Sequence, residues 1–239
     1  MPSVRTPSTR YRTVFLDAGG VLVTPNWDRT AAALARQGVV VAPDVLAREE
    51  PIVKRELDVA PAVRATNDRQ RAYAYFDRIL LRLGIPLSAA TDAALAEVAA
   101  FNDRDGAWDV VTPGAAAALE RLRAAPLRTV IVSNSNGRVR AILRRVGLEP
   151  LVDLVVDSHE EGVEKPDARL FEIALRKSGA DRAATIHCGD LYYVDVTGAR
   201  AAGLPAVLLD AAGLYADADC PRVASLPEFV DGLLGGAFD

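Results

Sequence analysis

Short apolar runs, each stopped by a polar residue or glycine, alternate along this chain with longer stretches of helical spacing. The first run is Thr13-Val14-Phe15-Leu16, ended by Asp17 and then Gly19-Gly20, which predicts a buried strand followed by a turn. From Asp28 to Asn102 the pattern is different: Ala72, Tyr75, Phe76, Ile79, Leu80 and Leu83 recur at helical spacing, with breaks near Gly38, Pro61 and Gly84-Ile85-Pro86. Four helices and no strand are predicted there. Past Trp108, helix and strand alternate: Pro113–Arg123 (helix), Thr129–Val132 (strand), Arg138–Val146 (helix), Val152–Val156 (strand), Ala168–Ser178 (helix), Ala184–Cys188 (strand), Val194–Ala202 (helix) and Ala206–Leu209 (strand). Such alternation predicts an α/β fold, a Rossmann-like doubly wound parallel sheet with an inserted all-α unit. The expected division is a flexible tail over 1–10, a core made of 11–24 and 107–239, and a helical unit over 25–106.

Composition narrows the function classes. The chain has 239 residues, is half apolar and a quarter charged, and carries a net charge of -4, so it can bury a sizeable core and offers no basic surface for nucleic acid. The basic residues are almost all arginine, with lysine only at 54, 165 and 177, a bias that reads as genome composition. Cys188 and Cys220 form no metal-binding pair, and a reducing compartment is expected. No apolar stretch is long enough to span a bilayer, and the first residues lack the apolar segment of a signal peptide. These features lead to the expectation of a cytoplasmic monomer or homodimer acting on a small molecule, away from membranes.

In a parallel α/β sheet, ligands bind beyond the carboxyl ends of the strands, so the polar residues that stop the apolar runs hold the information. They are Asp17, Ser133-Asn134 and Gly189-Asp190, with Asp195 five residues further on. Three carboxylates converging on one crevice repel one another and require positive charge. A hard cation with oxygen ligands, Mg²⁺, meets that need, and Lys165 in Glu164-Lys165-Pro166-Asp167 supplies a second positive charge.

These residues together resemble the motifs of the haloacid dehalogenase superfamily of hydrolases. Val14-Phe15-Leu16-Asp17-Ala18-Gly19-Gly20 is similar to its first motif, a strand ending in a nucleophilic Asp. Val130-Ile131-Val132-Ser133-Asn134 is similar to the second, Lys165-Pro166-Asp167 to the third, and Gly189-Asp190 through Asp195 to the acidic fourth. The resemblance covers about residues 11–210 and implies that the helical insertion is a C1 cap. It implies an aspartyl-phosphate mechanism with Asp17 as nucleophile, Ser133 binding a phosphoryl oxygen and Lys165 neutralising charge. It further implies Mg²⁺ held by Asp17, the Gly19 carbonyl, Asp190 and Asp195. The substrate side is assigned to Ser133, Asn134, Gly20 and Trp27, for a small phosphorylated metabolite.

One position departs from the family pattern. Most phosphatases of the superfamily carry a second Asp two residues after the nucleophile, as general acid and base, and here that residue is Gly19. A good leaving group, another proton donor such as His159, or a different reaction would account for it. The alternatives are 2-haloacid dehalogenase chemistry, in which halide leaves without a proton, and a binding protein on the same scaffold with little turnover. His187 and Cys188 are expected to pack in a strand. Tyr192 and Tyr193 are candidates for substrate contact, and Arg64, Arg69 and Arg71 for a second anionic group.

Overall fold

The first apolar run forms the centre of the molecule. In this computed structural model, which describes residues 9–239, strand β1 (Thr13–Leu16) lies fully buried, with Val14 and Leu16 on one face of a sheet and Phe15 on the other. The period-2 alternation of a strand buried on both faces explains why every position of the run is apolar or Thr. The remaining strands are β2 (Val23–Thr24), β3 (Val110–Val111), β4 (Arg128–Ser133), β5 (Leu154–Asp157), β6 (Thr185–Gly189), β7 (Ala206–Leu209) and β8 (Arg222–Val223). Six of them form a parallel sheet in the order β5-β4-β1-β6-β7-β8, while β2 and β3 pair antiparallel as a separate ribbon. The chain leaves β1 toward β4 and leaves β6 toward β7, so the order reverses between β1 and β6, and a crevice opens beyond their carboxyl ends.

Helices α6 (Ala115–Ala124), α7 (Val139–Arg145) and α11 (Leu226–Leu234) cover the Val14 face, and α9 (Ala168–Ser178) and α10 (Thr197–Ala201) cover the Phe15 face. A short helix, α8 (Ser158–Glu161), follows β5. The expected helix over Val194–Ala202 begins earlier and is not uniform: Tyr192–Val196 is π-helical and only then does α10 start. The ribbon β2–β3, strand β8 and helix α11 were not expected from the pattern. The two-residue strands are too short to display a period, and α11 lies past the last strand that the pattern predicts. Thr9 and Arg10, assigned to a flexible tail, are instead tied down by Asp239, whose carboxylate accepts from Thr9 Oγ1 at 3.0 Å and from the Arg10 amide at 3.1 Å. The rest of that tail, residues 1–8, lies outside the described residues.

Between β2 and β3 the chain forms five helices, one more than expected: α1 (Trp27–Arg36), α2 (Pro43–Leu57), α3 (Ala60–Ala65), α4 (Asp68–Arg82) and α5 (Ala89–Asp105). The extra helix is α3, and Pro61 opens it where a break was expected, because proline suits a first helical turn. Trp27, Leu34, Leu46, Val53, Tyr75, Ile79, Leu80 and Val98 form this layer's own core. Among the described residues no helix is long and apolar enough to cross a membrane.

The segment after α2 fastens the helical layer to the sheet. Asp58, 2% exposed, accepts hydrogen bonds from the amides of Tyr192 and Tyr193 at 2.6 and 2.9 Å and from the Tyr215 hydroxyl at 2.8 Å. Beside it, Arg55 lies over the Tyr215 ring at 4.7 Å and pairs with Asp217. Burial pushes Asp58 up to about 6, against the opposing effect of its hydrogen bonds. The folded protein therefore holds this proton more tightly than the unfolded chain does. That contribution to stability is full below about pH 4 and is lost as the pH rises through about 6. Urea unfolding of Asp58→Asn between pH 4 and 7 is expected to lack this portion of the slope. Asp58→Ala, which strands two backbone donors, is expected to lose about 2–4 kcal/mol at pH 7, and a loss below about 1 kcal/mol would contradict the clamp.

Candidate active site

The crevice between β1 and β6 is built from residues that end strands. Asp17 follows β1 and its amide donates to the Cys188 carbonyl at 3.0 Å, which fixes its backbone against β6. Lys165, 1% exposed, donates from Nζ to Asp17 Oδ1 and to Asp195 Oδ1, both at 2.7 Å. Asn134, just after β4, holds the lysine from behind: its Oδ1 accepts from the Lys165 amide at 2.7 Å and its Nδ2 donates to the Lys165 carbonyl at 3.0 Å. Both ends of the Asn134 amide thus hold Lys165, while the residue also lines the cavity described below.

Asp195 faces inward from the π-helical turn and is 1% exposed. Besides Lys165, its Oδ1 meets His187 Nε2 at 3.1 Å, and its Oδ2 accepts from the Leu191 amide at 3.0 Å. His187 sits on β6 on the face opposite Ile186 and Cys188, edge-on to Phe171 at 5.0 Å. It was expected only to pack, yet it also braces a carboxylate of the cluster. Gly189 makes this possible, because a Cβ there would stand 2.2 Å from Asp195 Cγ.

Asp190 has a partner from the helical layer. Lys54, on α2, donates to Asp190 Oδ2 at 2.8 Å and also lies 3.1 Å from Glu50 Oε1. Glu50 Oε2 in turn accepts from Trp27 Nε1 at 3.2 Å. Trp27 is therefore buried in the helical layer, where it holds Glu50, and it does not line the crevice as expected. Gly20 is likewise reassigned. Its amide donates to the Val23 carbonyl at 2.7 Å, its φ is +78°, and a Cβ on it would fall 2.0 Å from Asp190 Oδ2. Only glycine leaves room for Asp190 and Lys54 to meet there.

The oxygens of Asp17, Asp190 and Asp195 lie within 4.8 Å of one another, and two ammonium groups stand among the three carboxylates. Burial acts against every charge in this cluster. It pushes Asp17 upward, with Lys165 opposing and Asp195 adding to the rise, and it pushes Asp190 up to about 7 despite Lys54. Asp195 falls well below the usual carboxylate range, since Lys165 and His187 outweigh its burial. The lysines mirror this: burial works against each ammonium, but Asp17 and Asp195 hold the proton on Lys165, and Asp190 and Glu50 hold it on Lys54.

Above the cluster lies a cavity of about 1200 Å³ between sheet and helices. Asp17, Gly19, Ser133, Lys165, Asp190 and Asp195 line its floor. Val63, Tyr75, Phe76, Leu95, Val98 and Trp108 form an apolar wall, mostly from α4 and α5. Arg64, Arg71 and His159 also border it, with His159 exposed in the first turn of α8; the Arg69 side chain lies outside the described residues. The side chain of Ser133 is buried, with only a 3.4 Å contact from Oγ to the Asn134 carbonyl. Tyr192 and Tyr193 present their amides to Asp58, and the Tyr192 hydroxyl donates to Asp219.

Sequence reasoning missed Lys54, Asp58 and Trp108 as parts of this region. Lys54 did carry a signal, being one of three lysines in an arginine-rich chain, two of which stand in this cluster. Asp58 and Trp108 sit in irregular segments between helix and strand and carried none.

A family model described as haloacid dehalogenase-like hydrolase matches residues 11–203. Over 102 residues the chain is 39% identical to haloacid dehalogenase-like hydrolase domain-containing protein 3 of Bos taurus, 43% of this chain and 40% of that protein. It is 30% identical over 134 residues to the glyceraldehyde 3-phosphate phosphatase of Pyrococcus abyssi, 56% of each. The chain thus aligns with about half or less of the length of these relatives. Among solved structures, the magnesium-bound YfnB protein of Bacillus subtilis shares the fold with a TM-score of 0.70 at 19% identity, over 94% of this chain and 99% of that one. With the family model spanning most of its length and its parallel sheet ending in this acidic crevice, the chain belongs to the haloacid dehalogenase-like hydrolases.

Proposed function

We propose that this hydrolase is a Mg²⁺-dependent phosphatase of small phosphorylated metabolites, with the helical layer acting as a C1-type cap over the cavity. The observation that carries the reading is the disposition of Asp17 on the cavity floor: Oδ1 is held by Lys165, which leaves Oδ2 for attack. In this reading Oδ2 forms a bond to phosphorus in line with the ester oxygen, the ester P–O bond breaks with its electron pair on the leaving oxygen, and that oxygen takes a proton from water to leave as the alcohol. Water then attacks the aspartyl phosphate, releasing inorganic phosphate and restoring Asp17. Lys165 offsets the charge of the nucleophile and of the phosphoryl oxygens, and Ser133 is placed to donate to one of them. The name of the Pyrococcus relative supports the phosphatase class.

The donor set fits a hard cation. Three carboxylates within 4.8 Å offer oxygen ligands, and the two ammonium groups among them, Lys165 and Lys54, do not match the three negative charges one for one. Asp17, Asp190 and the Gly19 carbonyl would hold Mg²⁺, with Asp195 behind them, and the ion would neutralise charge on the transferring phosphoryl group. Lys54 shares Asp190 with that site.

A second reading rests on the same lysine. Lys54 on Asp190 and Lys165 between Asp17 and Asp195 bring two positive charges to the cluster without a metal, and Gly19 supplies no acid. Both features suit attack of Asp17 on carbon with departure of halide, as in a 2-haloacid dehalogenase. One assay separates the two: phosphate release from a panel of small esters with Mg²⁺ or EDTA, beside chloride release from 2-chloropropionate. EDTA is expected to abolish phosphate release and Mg²⁺ to restore it, and chloride release unchanged by EDTA would favour the second reading. Asp17→Asn is expected to retain less than about a thousandth of the activity in either case.

Gly19 yields a further expectation. It does not adopt a positive φ, and a Cβ there would meet nothing closer than 3.7 Å, so the backbone does not require glycine. Aryl, acyl and anomeric phosphates are expected to outrun alkyl phosphates steeply. Gly19→Asp is expected to fold and to raise turnover of alkyl esters more than that of aryl esters. Equal rates across leaving groups, with chemistry rate-limiting, would contradict this.

A further inference from the structure

The empty position at Gly19 points at a specific neighbour. A Cβ built on Gly19 would stand 3.7 Å from Trp108 Cδ1, 3.9 Å from Trp108 Nε1 and 3.9 Å from Asp17 Oδ2. A side chain at this position would thus lie beside the pyrrole edge of an indole. The same point is equally near the nucleophilic oxygen, so the two atoms are at most about 8 Å apart. An in-line phosphoryl transition state with its two apical oxygens, plus one hydrogen bond beyond the leaving oxygen, spans roughly 7 Å. An upper bound of that size is compatible with such a transition state between the two atoms.

The two tryptophans of the chain differ in a way that bears on this. Trp27 is buried, its N–H is committed to Glu50, and it does not line the cavity. Trp108 is half-buried and lines the cavity, and among the described residues its N–H has no hydrogen-bond partner. Its ring is held in place by edge and tilted contacts with Phe76 and Tyr75 at 6.0 and 6.3 Å. Its backbone is pinned one residue earlier. The Ala107 carbonyl accepts from the Asn26 amide at 3.0 Å, and the Ala107 amide donates to Asn102 Oδ1 at 2.9 Å. Arg145 adds bonds to the Asp105 and Gly106 carbonyls and to Asp109. A donor held this firmly beside a reacting centre is arranged for developing charge, because no reorganisation is needed when the charge appears.

We propose that the Trp108 indole N–H is a catalytic group that hydrogen-bonds the leaving-group oxygen, in the place where a carboxylic acid at position 19 would otherwise act. The inference rests on the phosphatase reading of the same site. An indole nitrogen gives up no proton near neutral pH, so Trp108 stabilises the departing oxyanion, and the proton that completes the alcohol comes from water. Balance is kept: the P–O bond breaks with its electron pair on the leaving oxygen, and Trp108 ends the step unchanged. The apolar wall of Tyr75, Phe76, Leu95, Val98 and Trp108 then surrounds the leaving group. It keeps bulk water from this hydrogen bond and favours alcohols with an apolar or aromatic face next to the ester oxygen.

The test uses the full chain with Mg²⁺. Trp108→Phe keeps an aromatic ring against Tyr75 and Phe76 while removing the donor. It is expected to lower kcat/KM for alkyl phosphates at least about tenfold more than for p-nitrophenyl phosphate, which steepens the dependence on leaving-group pKa. Gly19→Asp introduced into Trp108→Phe is expected to restore alkyl phosphates selectively, a rescue that a merely structural role would not produce. Independently of turnover, the wild-type ¹⁵N spectrum contains two indole signals, and orthovanadate is expected to shift that of Trp108 and not that of Trp27. A vanadate shift confined to other signals, or an equal loss on aryl and alkyl esters in Trp108→Phe, would overturn the role of Trp108 while leaving the phosphatase reading standing. Absence of phosphate release from every ester, together with no response to vanadate, would overturn that reading and the role of Trp108 with it.

Discussion

Repulsion among three carboxylates at the end of one sheet is the constraint on which the rest of this structure depends. Asp17, Asp190 and Asp195 stand within 4.8 Å of one another in a place where burial penalises each charge. Like charges so close in a poorly solvated site are tolerated only when cations stand among them. Lys165 bridges two of the three, and the third, Asp190, is met by Lys54. One of these lysines comes from the sheet layer and is gripped by Asn134, while the other comes from α2 and is braced by Glu50 and Trp27. The charge balance of the site therefore joins two layers that each have a hydrophobic core of their own.

This joining explains where the cavity lies. A single layer cannot both expose Asp17 to a ligand and keep water from it. The sheet supplies the charged floor, the helices supply an apolar wall, and the seam between them leaves about 1200 Å³. The seam is fixed at two places by polar groups that find partners across it. Asp58 satisfies the free amides at the start of the π-helical turn, and the connection through Gly106, Ala107 and Trp108 is tied by Asn26, Asn102 and Arg145. A π-helical turn is itself a locally unfavourable choice for the backbone. Here it spaces Asp190 and Asp195 so that one meets the helical layer and the other turns inward to Lys165 and His187.

Much of the architecture could be read from the chain before folding. A strand buried on both faces has to be a short apolar run, and a polar residue that ends it has to emerge at the sheet edge where ligands bind. Asp17, Ser133 and Asp190 were legible for that reason, as was the parallel sheet itself. The long helical spacing between Asp28 and Asn102 likewise marked a separate all-α layer, though not the six-residue helix α3 nor the flanking ribbon, whose elements are too short to show a period.

Partnership across the seam was not legible. Gly20 and Trp27 looked like substrate contacts because they follow Asp17 in sequence. In the folded chain Gly20 leaves room for Asp190, and Trp27 holds Glu50. Asn134 looked like a ligand group and is also the support of Lys165. Asp58 and Trp108 looked like nothing in particular, and Lys54 stood out only by being a lysine among arginines. The reason is physical: periodicity records which face of an element is buried against its own layer, and it carries that information within a few residues. Which lysine reaches Asp190, which carboxylate finds the amides of Tyr192 and Tyr193, and which indole faces Gly19 depend on contacts between residues about 90 to 140 positions apart, drawn together from two layers. The amino-acid sequence by itself determined the sheet, its insertion and the charges at its edge. Tertiary structure alone decided how those charges are paired, because pairing is a property of distance in space and no local pattern encodes it.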